Sequence, residues 1–267
     1  MKKKNDLGKR VISAVVLLAI LIPLIIIGKI PFALAIGFIS ILAYLEIMKL
    51  AKYPLPVKLL SFFALISIVY SNFDAKTIMF GLDYKVLSIS LLLILIPIIF
   101  YQTKEIYTTN DAFKLFGFIF LVGLGLNYFI LIRSMDLKYL ILTLATPMLT
   151  DTFAYFGGKL IGKHKITKIS PNKSLEGYIV GTVVGTIIMT LYYTTFIGVQ
   201  KNLLIVIGII LLMSVVGQVG DLFFSAIKRQ HNIKDFSNLI PGHGGMLDRL
   251  DSLIFVAICF IIFANYL

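Results

Sequence analysis

The chain has no tryptophan and one cysteine, Cys259. A single thiol excludes an internal disulfide and leaves the redox compartment open. Charge is scarce as well: Asp, Glu, Lys and Arg make up 14% of the residues, against about a quarter in soluble domains. No Gly-x-x-x-x-Gly-Lys-Ser/Thr loop, no His-Glu-x-x-His pair and no Gly-x-Ser-x-Gly elbow occurs in the 267 residues. P-loop phosphate binding, helix-borne zinc catalysis and the α/β-hydrolase serine are thereby set aside. The polar stretches are too short to hold a soluble domain, and no internal repeat is visible.

What is there is apolar. The hydrophobic share is 59% and the mean hydropathy +0.97. A membrane helix needs about 20 mostly apolar residues. Nine such runs occur, near 11–27, 32–50, 57–73, 86–101, 115–132, 138–157, 177–197, 203–225 and 250–267. They predict an all-α, polytopic integral membrane protein with about nine transmembrane helices. The opening MKKKNDLGKR and the run behind it look like a secretory signal, and Ala33-Leu34-Ala35 mimics a cleavage site. The run from Val11 to Ile27 is long for a signal core, however, and the triplet lies inside the next run. An uncleaved first span is expected.

Lys and Arg set the orientation. With the N-terminus in the cytoplasm, 19 of the 25 basic residues fall on the cytoplasmic side and 6 outside. This split expects a multi-pass protein of the cell membrane with its C-terminus outside. It also accounts for the net charge of +12 without nucleic acid. By motif content the chain divides into 1–110, membrane helices with no catalytic motif, and 111–267, membrane helices carrying every candidate site residue.

Charge inside a span is costly and points to function. Ser214, Gln218, Asp221, Ser225 and Lys228 follow one another at steps of four, three, four and three, so they line one helix face. Hydrogen bonding between helices accounts for Ser214 and Gln218; an ionised Asp221 asks for a cation. Asp248 and Asp251 share a face at the start of the last run, behind Pro241-Gly242-His243-Gly244-Gly245. Successive glycine amides form anion-binding nests. Acidic capping of a helix accounts for Asp248 alone, but not for His243 or for Arg249 between the acids. Third, Asp151 lies near the cytoplasmic end of its run, and the basic loop after it ends in SPNKSLEG. There Ser174 is placed to cap a helix and Lys173 stands beside the helix start. Lys159, Lys163, Lys165 and Lys168 read as topology and lipid-headgroup charges; His164 and His231 read as loop residues. All three places fall on the cytoplasmic face. Hard carboxylate oxygens suit Mg²⁺, and Lys and Arg suit phosphate. A nucleotide from the cytoplasm and a lipid from the membrane are the matching substrates.

At these residues the chain resembles the CDP-diacylglycerol synthases, or phosphatidate cytidylyltransferases. SAIKRQHNIKDFSNLIPGHGGMLDRLD, Ser225 to Asp251, matches every fixed position of their C-terminal signature, and DTFAY (Asp151 to Tyr155) and SPNKSLEG (Ser170 to Gly177) look like two further family elements. The first 130 or so residues match only as spans, and the tryptophan that often precedes the Asp151 element is absent. The resemblance implies that CTP and phosphatidate give CDP-diacylglycerol and pyrophosphate, with Mg²⁺ required. It implies metal held by Asp221 and Asp248, with Lys228, Arg229, His243 and Asp251 in the catalytic set. Asp151, Lys173, Ser174, Gly244, Gly245 and Arg249 fall on the substrate-binding side. A homodimer is implied as well. The alternatives are a CTP-dependent enzyme acting on another lipid, such as a polyprenol kinase or an archaeal-type lipid cytidylyltransferase, and a transporter. A transporter would place its polar groups near mid-membrane. The Asp-Gly-x-x-Ala-Arg motif of CDP-alcohol phosphatidyltransferases is absent, since Ser252 follows Asp251.

Overall fold

The computed structural model describes residues 19–71, 83–167, 169–171, 173–198, 202–239 and 244–267. Among them the secondary structure is helical, with no strand; Lys165 and Ser174 form an isolated antiparallel bridge. The helices are α1 (19–27), α2 (Lys29–Ile47), α3 (Leu55–Val69), α4 (Tyr84–Leu95), α5 (Ile98–Tyr101), α6 (Thr109–Met135), α7 (Leu137–Ile161), α8 (Leu175–Tyr192), α9 (Leu203–Gln230) and α10 (Leu247–Phe263).

Five stretches among the described residues are long and apolar enough to cross a membrane: Lys29–Ile47, Tyr84–Lys104, Thr109–Met135, Leu175–Ile197 and Leu203–Gln230. These correspond to five of the nine expected runs. Leu55–Val69 is apolar but short, and α10, with 17 residues, is also below a full span. α7 is long enough, but Thr143, Thr146, Thr150, Asp151 and Thr152 make its centre polar. The run at 11–27 lies mostly outside the described residues.

Packing divides the chain into two units. The first comprises Met1–Ser134 and Asp235–Asp248, the second Met135–Lys234 and Arg249–Leu267. The division near residue 110 followed motif content; packing instead keeps the whole of α6 but its last residue with the N-terminal helices.

In the first unit, polar side chains satisfy the helix ends. Arg133 donates from Nε to Ile25 O (2.7 Å) and from Nη2 to Ile26 O (2.8 Å), closing the C-terminal carbonyls of α1. Gly28, at φ +67°, turns the chain into α2, where a Cβ would lie 2.5 Å from the Arg133 guanidinium. Pro97 separates α4 from α5, because it lacks an N–H and clashes with the preceding turn. Thr108 and Asp111 cap α6 reciprocally: Thr108 N–H donates to Asp111 Oδ2 (3.0 Å), and Asp111 N–H to Thr108 Oγ1 (3.3 Å).

In the second unit, α7 and α8 approach backbone to backbone. Gly177, Gly181 and Gly185 repeat at four-residue steps along α8. A Cβ on them would meet Ala154 O at 2.6 Å, Thr150 O at 2.5 Å and Thr150 Oγ1 at 2.8 Å. Small residues at this spacing let membrane helices pack closely. Thr150 Oγ1 and Ser214 Oγ, 2.7 Å apart, tie α7 to α9, and Gln218 Nε2 donates to Thr182 Oγ1 (2.8 Å), tying α9 to α8. Ser214 and Gln218 are thus interhelical hydrogen-bonding groups. Gly220 brings α9 against α10, where a Cβ would lie 2.7 Å from Asp251 O.

Candidate active site

The close α7–α8 packing leaves a cavity of about 460 Å³ at the end of the second unit where α7 runs out and α8 begins. Asp151, Ala154, Tyr155 and Gly158 line it from one face of α7, Ser170 and Lys173 from the following loop, Tyr178 from α8 and Asp221 from α9. Lys173 Nζ donates to Asp221 Oδ2 in a short ion pair. Ser225 Oγ donates to the other oxygen, Oδ1, at 3.3 Å. The ammonium lies 5.4 Å from the Tyr178 ring centroid, within cation–π range. The Lys173 and Asp221 side chains keep 23% and 21% of their surface exposed, so the pair remains open to a ligand.

The loop that delivers Lys173 is built from its own residues. Ser174 caps α8 by accepting from Gly177 N–H at 3.2 Å, as its spacing leads one to expect. Glu176, in the first turn of α8, accepts the backbone N–H of Lys163 (3.0 Å) and of His164 (3.2 Å), and pairs with His164 Nδ1 at 2.6 Å. The loop is folded back on the helix start, with Lys173 on the cavity side.

More charge gathers near this cavity. Asp151 has Lys173 and Arg249 as charged neighbours; Asp251 has Lys228, Asp151 and Lys173. Burial draws the Lys173 pKa below the ordinary lysine value, and Asp151 and Asp251 oppose that in part. Of the residues singled out from the sequence, the fold therefore brings together Asp151, Lys173, Ser174, Asp221, Lys228, Arg249 and Asp251. Arg229 does not join them: it is exposed and donates from Nη1 to Ile233 O (3.1 Å) and from Nε to Ile169 O (3.4 Å).

The remaining residues belong to the first unit. Asp248 is buried, and its Oδ2 accepts the N–H of Phe236 and of Gly245, both at 2.9 Å. The Gly245 amide, expected to face an anion, is engaged by Asp248 in this structure. Gly244 adopts φ +84°, a conformation that favours glycine. His243 lies outside the described residues. Sequence reasoning missed Glu46, which is 2% exposed near the end of α2. Its Oε1 accepts from Met246 N–H (2.8 Å) and Ser237 Oγ (2.5 Å), and its Oε2 from Leu247 N–H (2.8 Å). The available signal was a lone acid inside the apolar run 32–50. Tyr155 and Tyr178 had no such mark.

Among the described residues no three His, Cys, Asp or Glu side chains gather as a self-contained metal cage. Mg²⁺ does not need one, since it binds through one or two carboxylates and substrate phosphates. The ionisable oxygens at the cavity fit that pattern: Asp151 and Asp221 line it, with the Lys173 ammonium paired to Asp221 and acting on Asp151.

A profile described as "Cytidylyltransferase family" matches residues 8–267. The chain is similar to the phosphatidate cytidylyltransferase of Bacillus subtilis (strain 168), 34% identical over 269 residues, covering 94% of this chain and 95% of that protein. It is also similar to those of Staphylococcus aureus (strain COL) and Staphylococcus haemolyticus (strain JCSC1435). Each is 31% identical and covers 92% of this chain and 95% of the relative.

Proposed function

Because the chain belongs to the cytidylyltransferase family, we propose that it transfers the cytidylyl group of CTP to phosphatidate, giving CDP-diacylglycerol and pyrophosphate. A phosphate oxygen of phosphatidate forms a bond to the α-phosphorus of CTP as the bond from that phosphorus to the β-bridging oxygen breaks. The second pKa of a phosphate monoester is about 6, so the lipid is already largely dianionic and no Ser, Cys or His nucleophile is needed. The work left to the protein is to hold two anions together and to stabilise the leaving pyrophosphate.

The observation that carries this reading is the Lys173–Asp221 pair in the cavity. Lys173 neutralises Asp221 in the free protein and turns to phosphate oxygens when substrate enters. Lys228 and Arg249 add positive charge near Asp251 and Asp151, and Arg229 holds the loop carbonyls of Ile169 and Ile233. When bound, Mg²⁺ would screen the phosphates and polarise the phosphorus. Asp221 and Asp248 are its proposed ligands, Asp248 on the sequence pattern alone. We place the site at the cytoplasmic face, supported by the 19 to 6 basic bias; homodimerisation rests on the family resemblance alone.

The test is formation of labelled CDP-lipid from CTP by the purified protein. Product from phosphatidate but not from a polyprenol or its phosphate is expected. Product from polyprenol substrates only, or none at all, would sink the proposal.

A further inference from the structure

Glu46 belongs to the half of the chain that carries no motif, yet it reaches the motif that begins α10. The first amides of a helix have no partner within it. The usual remedy is a Ser, Thr, Asp or Asn at the helix's own N-cap. Here the acceptor comes from α2, two hundred residues away in sequence. Burying a carboxylate in an apolar helix is costly, and a cap from the helix itself would stabilise α10 at lower cost. Glu46 therefore does something that a local cap does not.

The geometry shows what that is. Three successive amides are shared by two carboxylates: Gly245 N–H donates to Asp248, and Met246 and Leu247 N–H donate to Glu46. Asp248 is thus held by backbone that Glu46 in turn holds. Gly245 is part of the same device. A Cβ there would lie 2.5 Å from Glu46 Oε1 and 2.7 Å from Oε2, so the carboxylate itself demands glycine at this position. Ser237, on the incoming side of the loop, donates to the same carboxylate.

We propose that Glu46 is a positioning residue for the transfer reaction, whose carboxylate holds the backbone of residues 245–247 and so sets Asp248 at the head of α10. This rests on the proposed assignment of Asp248 to the site, and the test separates the two.

Glu46→Gln keeps the shape but loses the charge and one acceptor. In purified full-length protein its turnover should fall about 30-fold, a loss of the size seen when a group that orients a ligand is removed. Its melting temperature should fall, as for Asp248→Asn, because a neutral amide accepts the two N–H bonds less strongly, while the protein still folds and purifies. Deuterium exchange at amides 245–247 should quicken about tenfold, because their protection comes from outside the helix. Gly245→Ala should reproduce the loss, and the double variant should be no slower than the slower single variant, since both act through one contact. Unchanged exchange at 245–247, turnover within twofold of the parent, or losses that multiply would each overturn the proposal. If Glu46→Gln does not fold, Glu46→Asp decides, since it keeps the charge but withdraws the oxygens by one methylene. Faster local exchange and slowed turnover support the proposal, and parent-like values overturn it. Asp248→Asn is measured alongside. Normal turnover there would remove Asp248 from the site, whereas an inactive Asp248→Asn beside a parent-like Glu46→Gln would sink only the role of Glu46.

Discussion

Two carboxylates, Asp221 in the second unit and Asp248 in the first, look alike in sequence and are held in different ways. Asp248 accepts from backbone amides, which cannot leave without unmaking the loop. Asp221 is neutralised by a lysine ammonium on a flexible stem and accepts a hydrogen bond from a serine hydroxyl. The first arrangement fixes the chain; the second can rearrange when a phosphate or a metal arrives. Partners, more than residue type, decide how firmly an acid is held before a ligand arrives.

That contrast is broken most directly at Asp221. Asp221→Asn should lower turnover by about 100-fold or more, the scale of losing a metal-borne charge at a phosphoryl centre. Its melting temperature should not fall, because the variant leaves no buried amide without an acceptor. Excess Mg²⁺ should restore part of the rate. A near-parent rate at limiting Mg²⁺ would make Asp221 a structural partner of Lys173. Asp248→Asn should also lose most activity. Unlike Asp221→Asn, it should lose stability, since a neutral amide accepts the two N–H bonds less strongly; each bond to a charged acceptor contributes about 1.5–3 kcal/mol. Equal melting temperatures for the two variants would show that the two acids are held alike.

Lys173→Ala should reduce turnover roughly 30-fold, and Lys163→Ala less than twofold, because the Lys163 side chain is exposed whereas Lys173 faces the cavity. Equal losses would remove Lys173 from the site. The pH profile sharpens this point. Burial lowers the Lys173 pKa, so the ammonium gives up its proton at a lower pH than an ordinary lysine. Activity that needs the cation should therefore fall early on the alkaline side. Lys173→Arg, always charged, should move that limb upward whatever its maximal rate. An unmoved alkaline limb would assign it to another group. The smallest effect is expected at Ser214→Ala, which removes the hydrogen bond to Thr150. About 0.6 kcal/mol of stability should be lost, read as a small drop in melting temperature with turnover unchanged.

Much of this was legible in the sequence, wherever the cause is local. Apolar runs announce helices because lipid demands that backbone groups pair within the segment. Five of the nine runs return as full-length candidate spans. α7 and α10 do not return as full-length candidates because polar side chains dilute the centre of α7 and α10 has only 17 residues. The polar stripe on α9 follows from helical spacing, and Ser214 and Gln218 meet partners on α7 and α8. The Ser174 cap follows from its position before a helix.

Contacts between distant segments were not legible. The four-residue glycine step in α8 is plain in the sequence, but only packing shows that Thr150 and Ala154 press against it. The SPNKSLEG context sets Lys173 apart from the other lysines of the loop, but not Asp221 as its partner, because the pairing depends on how α9 packs beside the start of α8. Arg229, adjacent to Lys228, turns to loop carbonyls instead, since neighbouring positions on a helix point about 100° apart. Glu46 is the clearest case. The sequence by itself determined that an acid stands in an apolar run and that a glycine-rich motif opens the last helix. Only the tertiary structure decided that one holds the other, because a buried carboxylate takes whichever donors the fold brings to it, and those donors are backbone amides that carry no residue identity.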